Sequence, residues 1–192
     1  MSFPFGIVVS LIWAAWLLYW FVSAFGTKRA ARVDRLGTML VYRVPLLLGF
    51  ALLFSNRPWA GLEWLWRDFL PAALGWAWLG LILLLLGLGF ACWARAALGR
   101  NWSATVQLKQ DHALVVVGPY RWVRHPIYTG ILLGLFGTAL VIGEWRGLLA
   151  LALVAAGFWF KLRHEEVWMR ERFGAAYVDY MRHTKALIPG IV

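Results

Sequence analysis

Gly118-Pro119-Tyr120-Arg121-Trp122-Val123-Arg124-His125-Pro126-Ile127-Tyr128-Thr129-Gly130 runs without a break into an apolar stretch that begins at Ile131. Two prolines, two tyrosines, two arginines, one histidine and two glycines therefore stand at the mouth of a buried helix. Lipid offers no hydrogen-bond partner, so polar groups in such a place are satisfied inside the protein or face a water-filled pocket. The stretch marks where a membrane helix starts and where chemistry is expected.

The rest of the chain agrees with a membrane setting. Hydrophobic residues make up 62% of the 192 residues and charged residues only 15%, outside the usual balance of a soluble domain. Fourteen tryptophans suit the aromatic belts of membrane interfaces. On the carboxyl side of the motif lie an apolar run over 127–142, the turn Gly143-Glu144-Trp145-Arg146 and a second run over 147–160. That second run is short for a span, so its helix is expected to continue through Lys161-Leu162-Arg163-His164-Glu165-Glu166, giving a span over 147–164. On the amino side, runs over 5–25, 36–54 and 71–91 each approach the ~20 residues that cross a bilayer. The first has no positive region before it and no small-residue cleavage site after it, so it does not read as a signal peptide. The tail is expected to be helical to about Arg182 and to end at Pro189-Gly190.

Charge tests the count of spans. Segments 27–35, 92–126 and 161–192 hold four, five and six Lys or Arg residues, whereas the alternating loops hold only Arg57, Arg67 and Arg146. Five spans put all the rich segments on one side, which the positive-inside rule makes cytoplasmic. The expectation is an all-α integral membrane protein, one membrane domain over 1–192, with the N-terminus outside. The His125 motif and the Glu165-Glu166 pair then lie at the cytoplasmic ends of two hairpin-linked helices. The connector before the fourth helix and the C-terminal tail would cap one pocket there.

Several chemistries are excluded. Cys92 is the single cysteine, so an intramolecular disulfide and a cysteine metal cluster are ruled out. His112, His125, His164 and His183 form no metal-ligand spacing, and no metal is expected. No phosphate-binding loop occurs, and Gly87-Leu88-Gly89 lies inside a leucine run and reads as packing. The net charge of +10 serves orientation and contact with anionic headgroups rather than nucleic acid.

The motif also carries a likeness. Leu114 to Tyr120, Arg124-His125-Pro126-Ile127-Tyr128-Thr129-Gly130, a hydrophobic hairpin, Glu165-Glu166, Phe173-Gly174-Ala175-Ala176-Tyr177 and Ile188-Pro189 resemble the isoprenylcysteine carboxyl methyltransferase family. The resemblance spans about residues 95–190, the catalytic half. It implies a membrane methyltransferase that uses S-adenosylmethionine and acts on a lipid-like or prenylated acceptor arriving from the bilayer. Carried over by position, the cofactor residues are Gln107, His112, Ala113, Leu114, Val115, Tyr120, His125, Pro126, Ile127, Tyr128 and Glu165. The family's carboxylate-binding arginine falls on Lys161, which keeps the charge but loses the two-pronged fork. Arg163 and Arg124 are the other candidates for that role.

Elementary chemistry fits this reading. A carboxylate with a pKa near ~4 is already ionised at neutral pH, so its methylation needs alignment rather than a base. A sulfonium favours aromatic faces, and Tyr120, Trp122 and Tyr128 are at hand. Arg121 and Arg124 also suit plain headgroup contacts, Glu166 a solvated position, and Lys161 with Glu165 a surface pair at i,i+4 spacing. Gly130, Gly134 and Gly137 suit close helix packing, and Arg43 suits snorkelling. A phospholipid amine or a thiol as acceptor, and a nicotinamide-dependent reductase of the sterol reductase type, are the competing enzymes. Composition suggests a bacterial inner membrane.

Overall fold

The computed structural model describes residues 4–25, 30–33, 35–71, 73–99, 107–109 and 114–191, of which 30–33 and 107–109 are described by backbone alone. The helices are α1 Phe5–Ala24, α2 Leu36–Phe54, α3 Leu74–Leu98, α4 Pro126–Ile142, α5 Trp145–Phe173 and α6 Ala175–His183. Short 3-10 turns occupy Glu63–Trp66 and Gly118–Arg121. Four helices, α1, α2, α3 and α5, are long and apolar enough to cross a membrane. The apolar α4 has 17 residues, about 26 Å at 1.5 Å per residue. Their outward faces carry exposed residues such as Leu11, Phe21, Leu47, Leu86 and Phe160, as lipid-facing helices require. The chain is an integral membrane protein.

The membrane part is all-helical, as expected, and one small sheet accompanies it: β1 (Ala30–Val33) pairs antiparallel with β2 (Gln107–Lys109), joining the segment after α1 to the connector. One boundary needs correction. The third run extends to Leu98 because Arg95, a charge that seemed to end it, is buried and donates to the carbonyls of Gly99 and Ser23. The tail is helical to His183, close to the expected end at Arg182, with Gly174, at φ 53°, turning the chain from α5 into α6.

The helices pack as two tight pairs. A Cβ on Gly87 would stand 2.5 Å from the Gly130 carbonyl oxygen, and Gly80 meets Gly137 in the same way, so α3 and α4 touch backbone to backbone. Gly89 faces open space instead, so only the first glycine of that leucine run serves packing. In the second pair a Cβ on Gly49 of α2 would lie 2.7 Å from Val154 of α5, and Gly157 of α5 meets Leu46 and the Tyr42 carbonyl of α2. The α4–α5 hairpin joins the two pairs through Tyr128, Ile131 and Leu135 on one side and Val154, Phe158 and Leu162 on the other. Trp13 of α1 adds a buried hydrogen bond to Thr138 of α4 at 3.0 Å.

Each end of this hairpin is tied to a neighbouring segment. At the turn, Phe69 N–H donates to the Gly143 carbonyl at 2.8 Å and Trp145 N–H to the Arg67 carbonyl at 3.2 Å. At the open end, the two residues that lead into α4 are held by the backbone of the C-terminal segment. Arg124 N–H donates to Lys185 O at 2.8 Å, and His125 N–H to Ala186 O at 3.0 Å. The Thr129 hydroxyl reaches Leu187 O at 2.7 Å. The tail is thereby laid beside the motif.

Candidate active site

Pro126 begins α4 at its first turn, where its fixed φ and missing N–H cost nothing. This leaves His125 as the N-cap residue and turns Tyr128 inward. Opposite them, α5 continues past Phe160 as a helix and carries Lys161, Glu165 and Glu166 down one side. The Tyr128 hydroxyl lies 2.7 and 2.8 Å from the two carboxylate oxygens of Glu165. His125 stands between the acids, with Nδ1 3.6 Å from Glu165 and Nε2 3.3 Å from Glu166. Arg124 completes the chain, its Nε and second terminal nitrogen at 2.8 and 2.7 Å from Glu166 Oε1. The imidazole stacks on the Tyr128 ring at 5.5 Å and 4° between planes, and Tyr128 in turn stacks on Phe158. Lys161 is 7% exposed. Its ammonium sits 4.0 Å from Glu165 Oε1 and over the rings of Tyr128 and Tyr42, at 5.2 and 5.7 Å.

These residues form one buried polar network at the open end of an otherwise apolar hairpin. Networks of this kind rigidify a site when satisfied and are costly when broken. One surface of it is saturated: Arg124 also donates to the Thr184 carbonyl, so its guanidinium is committed to holding the tail. The other surface keeps acceptor capacity, because each Glu165 oxygen has lone pairs beyond the one Tyr128 uses. An open cleft of about 330 Å³ lies at the opposite end, near Phe5, Leu74 and Val141. Its one charged lining residue is Asp68, so it carries none of this chemistry.

The tyrosines outside the bundle brace the motif. Burial pushes the Tyr120 and Tyr177 phenols above their ordinary range, and Tyr180 up to about 12. All three stay protonated at neutral pH, which Tyr180 needs in order to donate to the Tyr120 carbonyl and hold α6 on the motif.

The residues singled out from sequence fall into four groups. Tyr128, His125, Glu165 and Lys161 converge as just described, and Tyr120, Pro126 and Ile127 are buried beside them. Leu114 and Val115 are half-buried, with Val115 packed on the main core. Arg163 is not brought in: it is exposed and lies over Trp159 at 5.7 Å. The Gln107 side chain, His112 and Ala113 lie outside the described residues. Glu166 is the residue the sequence reading undervalued, since it is buried at 5% exposure between Arg124 and His125 rather than solvated. The Arg-His dipeptide facing a Glu-Glu dipeptide across a hairpin was the available signal.

Comparisons with known proteins agree with the motif reading. The phospholipid methyltransferase family model matches residues 76–176. A protein-S-isoprenylcysteine O-methyltransferase of Saccharomyces cerevisiae (strain ATCC 204508 / S288c) is 34% identical over 116 residues, 59% of this chain and 48% of that one. A probable protein-S-isoprenylcysteine O-methyltransferase of Oryza sativa subsp. indica is 28% identical over 118 residues, covering 60% and 62%. The chain thus matches between about half and three-fifths of the length of these relatives. A solved eukaryotic intramembrane Ras methyltransferase, isoprenylcysteine carboxyl methyltransferase, shares the fold with a TM-score of 0.52 at 24% identity, over 80% of this chain and 64% of that one. The family match covers more than half of the 192 residues, includes α3, α4, α5 and the whole buried network, and shows that the chain belongs to the phospholipid methyltransferase family.

Proposed function

We propose that this protein is a membrane methyltransferase that uses S-adenosylmethionine to methylate the carboxylate of a lipidic, isoprenoid-like acceptor. The observation that carries the reading is the buried Tyr128–Glu165–His125–Glu166–Arg124 chain, built where α4 and α5 open toward the tail. Such a group of acids beside stacked rings fits the cofactor. Glu165 offers a carboxylate to an amino group, and the Tyr128 and His125 faces suit a positive sulfur. Tyr120, Pro126 and Ile127 would wall the site, with Leu114, Val115 and the connector residues Gln107, His112 and Ala113 toward the nucleoside. Bound there, S-adenosylmethionine supplies an electrophilic methyl group.

The protein's own task is then alignment. An ionised carboxylate needs no proton removed, and holding it in line is the kind of contribution that dominates when acid–base help is unnecessary. Lys161 is the basic residue on the Glu165 side of the network and would hold the acceptor's charge, since Arg124 is occupied and Arg163 points away. Lysine and arginine segregation supports five spans with the N-terminus outside and the site in the cytoplasm. The test is transfer of labelled methyl from S-adenosylmethionine to N-acetyl-S-farnesylcysteine by the purified protein. A base-labile ester product is expected. A base-stable product on phosphatidylethanolamine alone would replace the carboxylate with an amine, and NADPH oxidation without transfer would replace the reaction itself.

A further inference from the structure

Arg43 is the eighth residue of α2, about 10 Å along the helix at 1.5 Å per residue. It is exposed on an otherwise apolar segment. A charged side chain inside lipid is costly, and among the described residues no carboxylate forms an ion pair with it. Its surroundings make this odder. The preceding residue, Tyr42, is buried with its ring under the Lys161 ammonium at 5.7 Å. The Tyr42 carbonyl lies against Gly157, one turn before Lys161 on α5. Arg43, the next residue along α2, is therefore at about the same level of the helix pair as Lys161.

We propose that Arg43 and Lys161 together receive the anionic end of the acceptor, with Arg43 supplying from α2 the planar, two-pronged contact that a lysine lacks. A guanidinium meets a carboxylate through two parallel hydrogen bonds, while an ammonium acts as a point charge. An acceptor whose apolar tail lies in the bilayer would bring its carboxylate to the edge between α2 and α5, where Arg43 faces lipid and Lys161 faces Glu165. Specificity for a charged acceptor would then depend on a helix outside the 76–176 segment that the family shares. The inference rests on the proposed methyl transfer to a carboxylate. Its rival is simple snorkelling of Arg43 to the interface.

The experiment compares parent, Arg43→Gln and Arg43→Lys proteins in nanodiscs of zwitterionic and of anionic lipid. S-adenosylhomocysteine binding is measured first. The acid N-acetyl-S-farnesylcysteine then serves as substrate, and its uncharged carboxamide as competitive inhibitor. We expect Arg43→Gln to bind S-adenosylhomocysteine like the parent and to raise KM for the acid about tenfold, with kcat within about twofold. Tenfold corresponds to about 1.4 kcal/mol, in the range of one charge-assisted contact. The carboxamide should inhibit both proteins equally, and Arg43→Lys should recover part of the affinity. An unchanged KM in Arg43→Gln, or equal loss for acid and carboxamide, overturns the inference while leaving methyl transfer intact. An effect confined to anionic lipid assigns Arg43 to a bilayer phosphate and also overturns it. A parent that binds no S-adenosylhomocysteine and methylates no acid overturns the proposed function and this inference together.

Discussion

The two ends of the α4–α5 hairpin each hold an arginine–glutamate pair, and the pairs are used in opposite ways. At the turn, Arg146 binds Glu144 through Nε at 2.5 Å and gives a terminal nitrogen to the carbonyls of Leu53 and Ser55 at 2.9 and 2.7 Å. Those carbonyls end α2 and have no helical donors, so the guanidinium is consumed as a cap and the turn is locked to α2. At the open end, Arg124 likewise secures Glu166 and the tail, but behind it His125, Glu165, Tyr128 and Lys161 keep a carboxylate available on one side. The first pair closes a helix. The second supports a site. The difference lies in what stands next to each pair: backbone at the turn, and a second acid with two aromatic rings at the mouth.

Removing each arginine should expose this contrast. Arg124→Ala leaves Glu166 buried without its main partner, a loss of about 3–5 kcal/mol for a pair of this kind. It should lower the unfolding temperature, followed by tryptophan fluorescence, and abolish S-adenosylhomocysteine binding together. Arg146→Ala should also lower the unfolding temperature, by an amount matching about 1–3 kcal/mol for the stranded carbonyls. The protein that remains folded should keep its ligand affinity within about twofold. If Arg146→Ala cut affinity without changing stability, the two ends would not differ as described.

A subtler change sharpens the open end. Tyr128→Phe keeps the stacking on His125 and Phe158 but removes the hydroxyl that holds both Glu165 oxygens. A hydrogen bond to a charged group is worth about 1.5–3 kcal/mol, so the unfolding temperature should fall by a matching amount, and affinity should fall about tenfold by calorimetry because Glu165 is no longer held in place. The smallest effect belongs to Arg163→Ala. That side chain lies over Trp159 on the exposed face, so affinity and KM should both stay within about twofold.

Much of this was legible in the sequence for identifiable reasons. Apolar length marks the spans because lipid leaves the backbone no choice but helix. Counting equal numbers of residues outward from the Gly143–Arg146 turn brings Arg124 level with Glu165 and His125 within a turn of both glutamates, and that is where the ion pairs form. The close helix contacts were readable from Gly130 and Gly137. Other features were not readable. Hydropathy drops at Arg95, so the end of α3 could not be seen without the carbonyls that satisfy that arginine. The pairing of β1 with β2 joins segments more than seventy residues apart through backbone bonds that leave no local pattern. Nor could a linear reading tell which basic residue faces the acids. Lys161 and Arg163 are two positions apart and point to different sides of α5, and Arg43 comes near only because Gly157 lets α2 approach.

The most direct test is calorimetric binding of S-adenosylhomocysteine to detergent-purified parent and Glu165→Gln proteins, with NADPH titrated in parallel. Glutamine keeps the size of the side chain and removes the charge that would hold the cofactor's amino group. The account predicts that the parent binds S-adenosylhomocysteine and not NADPH, and that folded Glu165→Gln binds it at least about thirtyfold more weakly, a loss of about 2 kcal/mol. Equal affinity in the two proteins, or binding of NADPH alone, would contradict it.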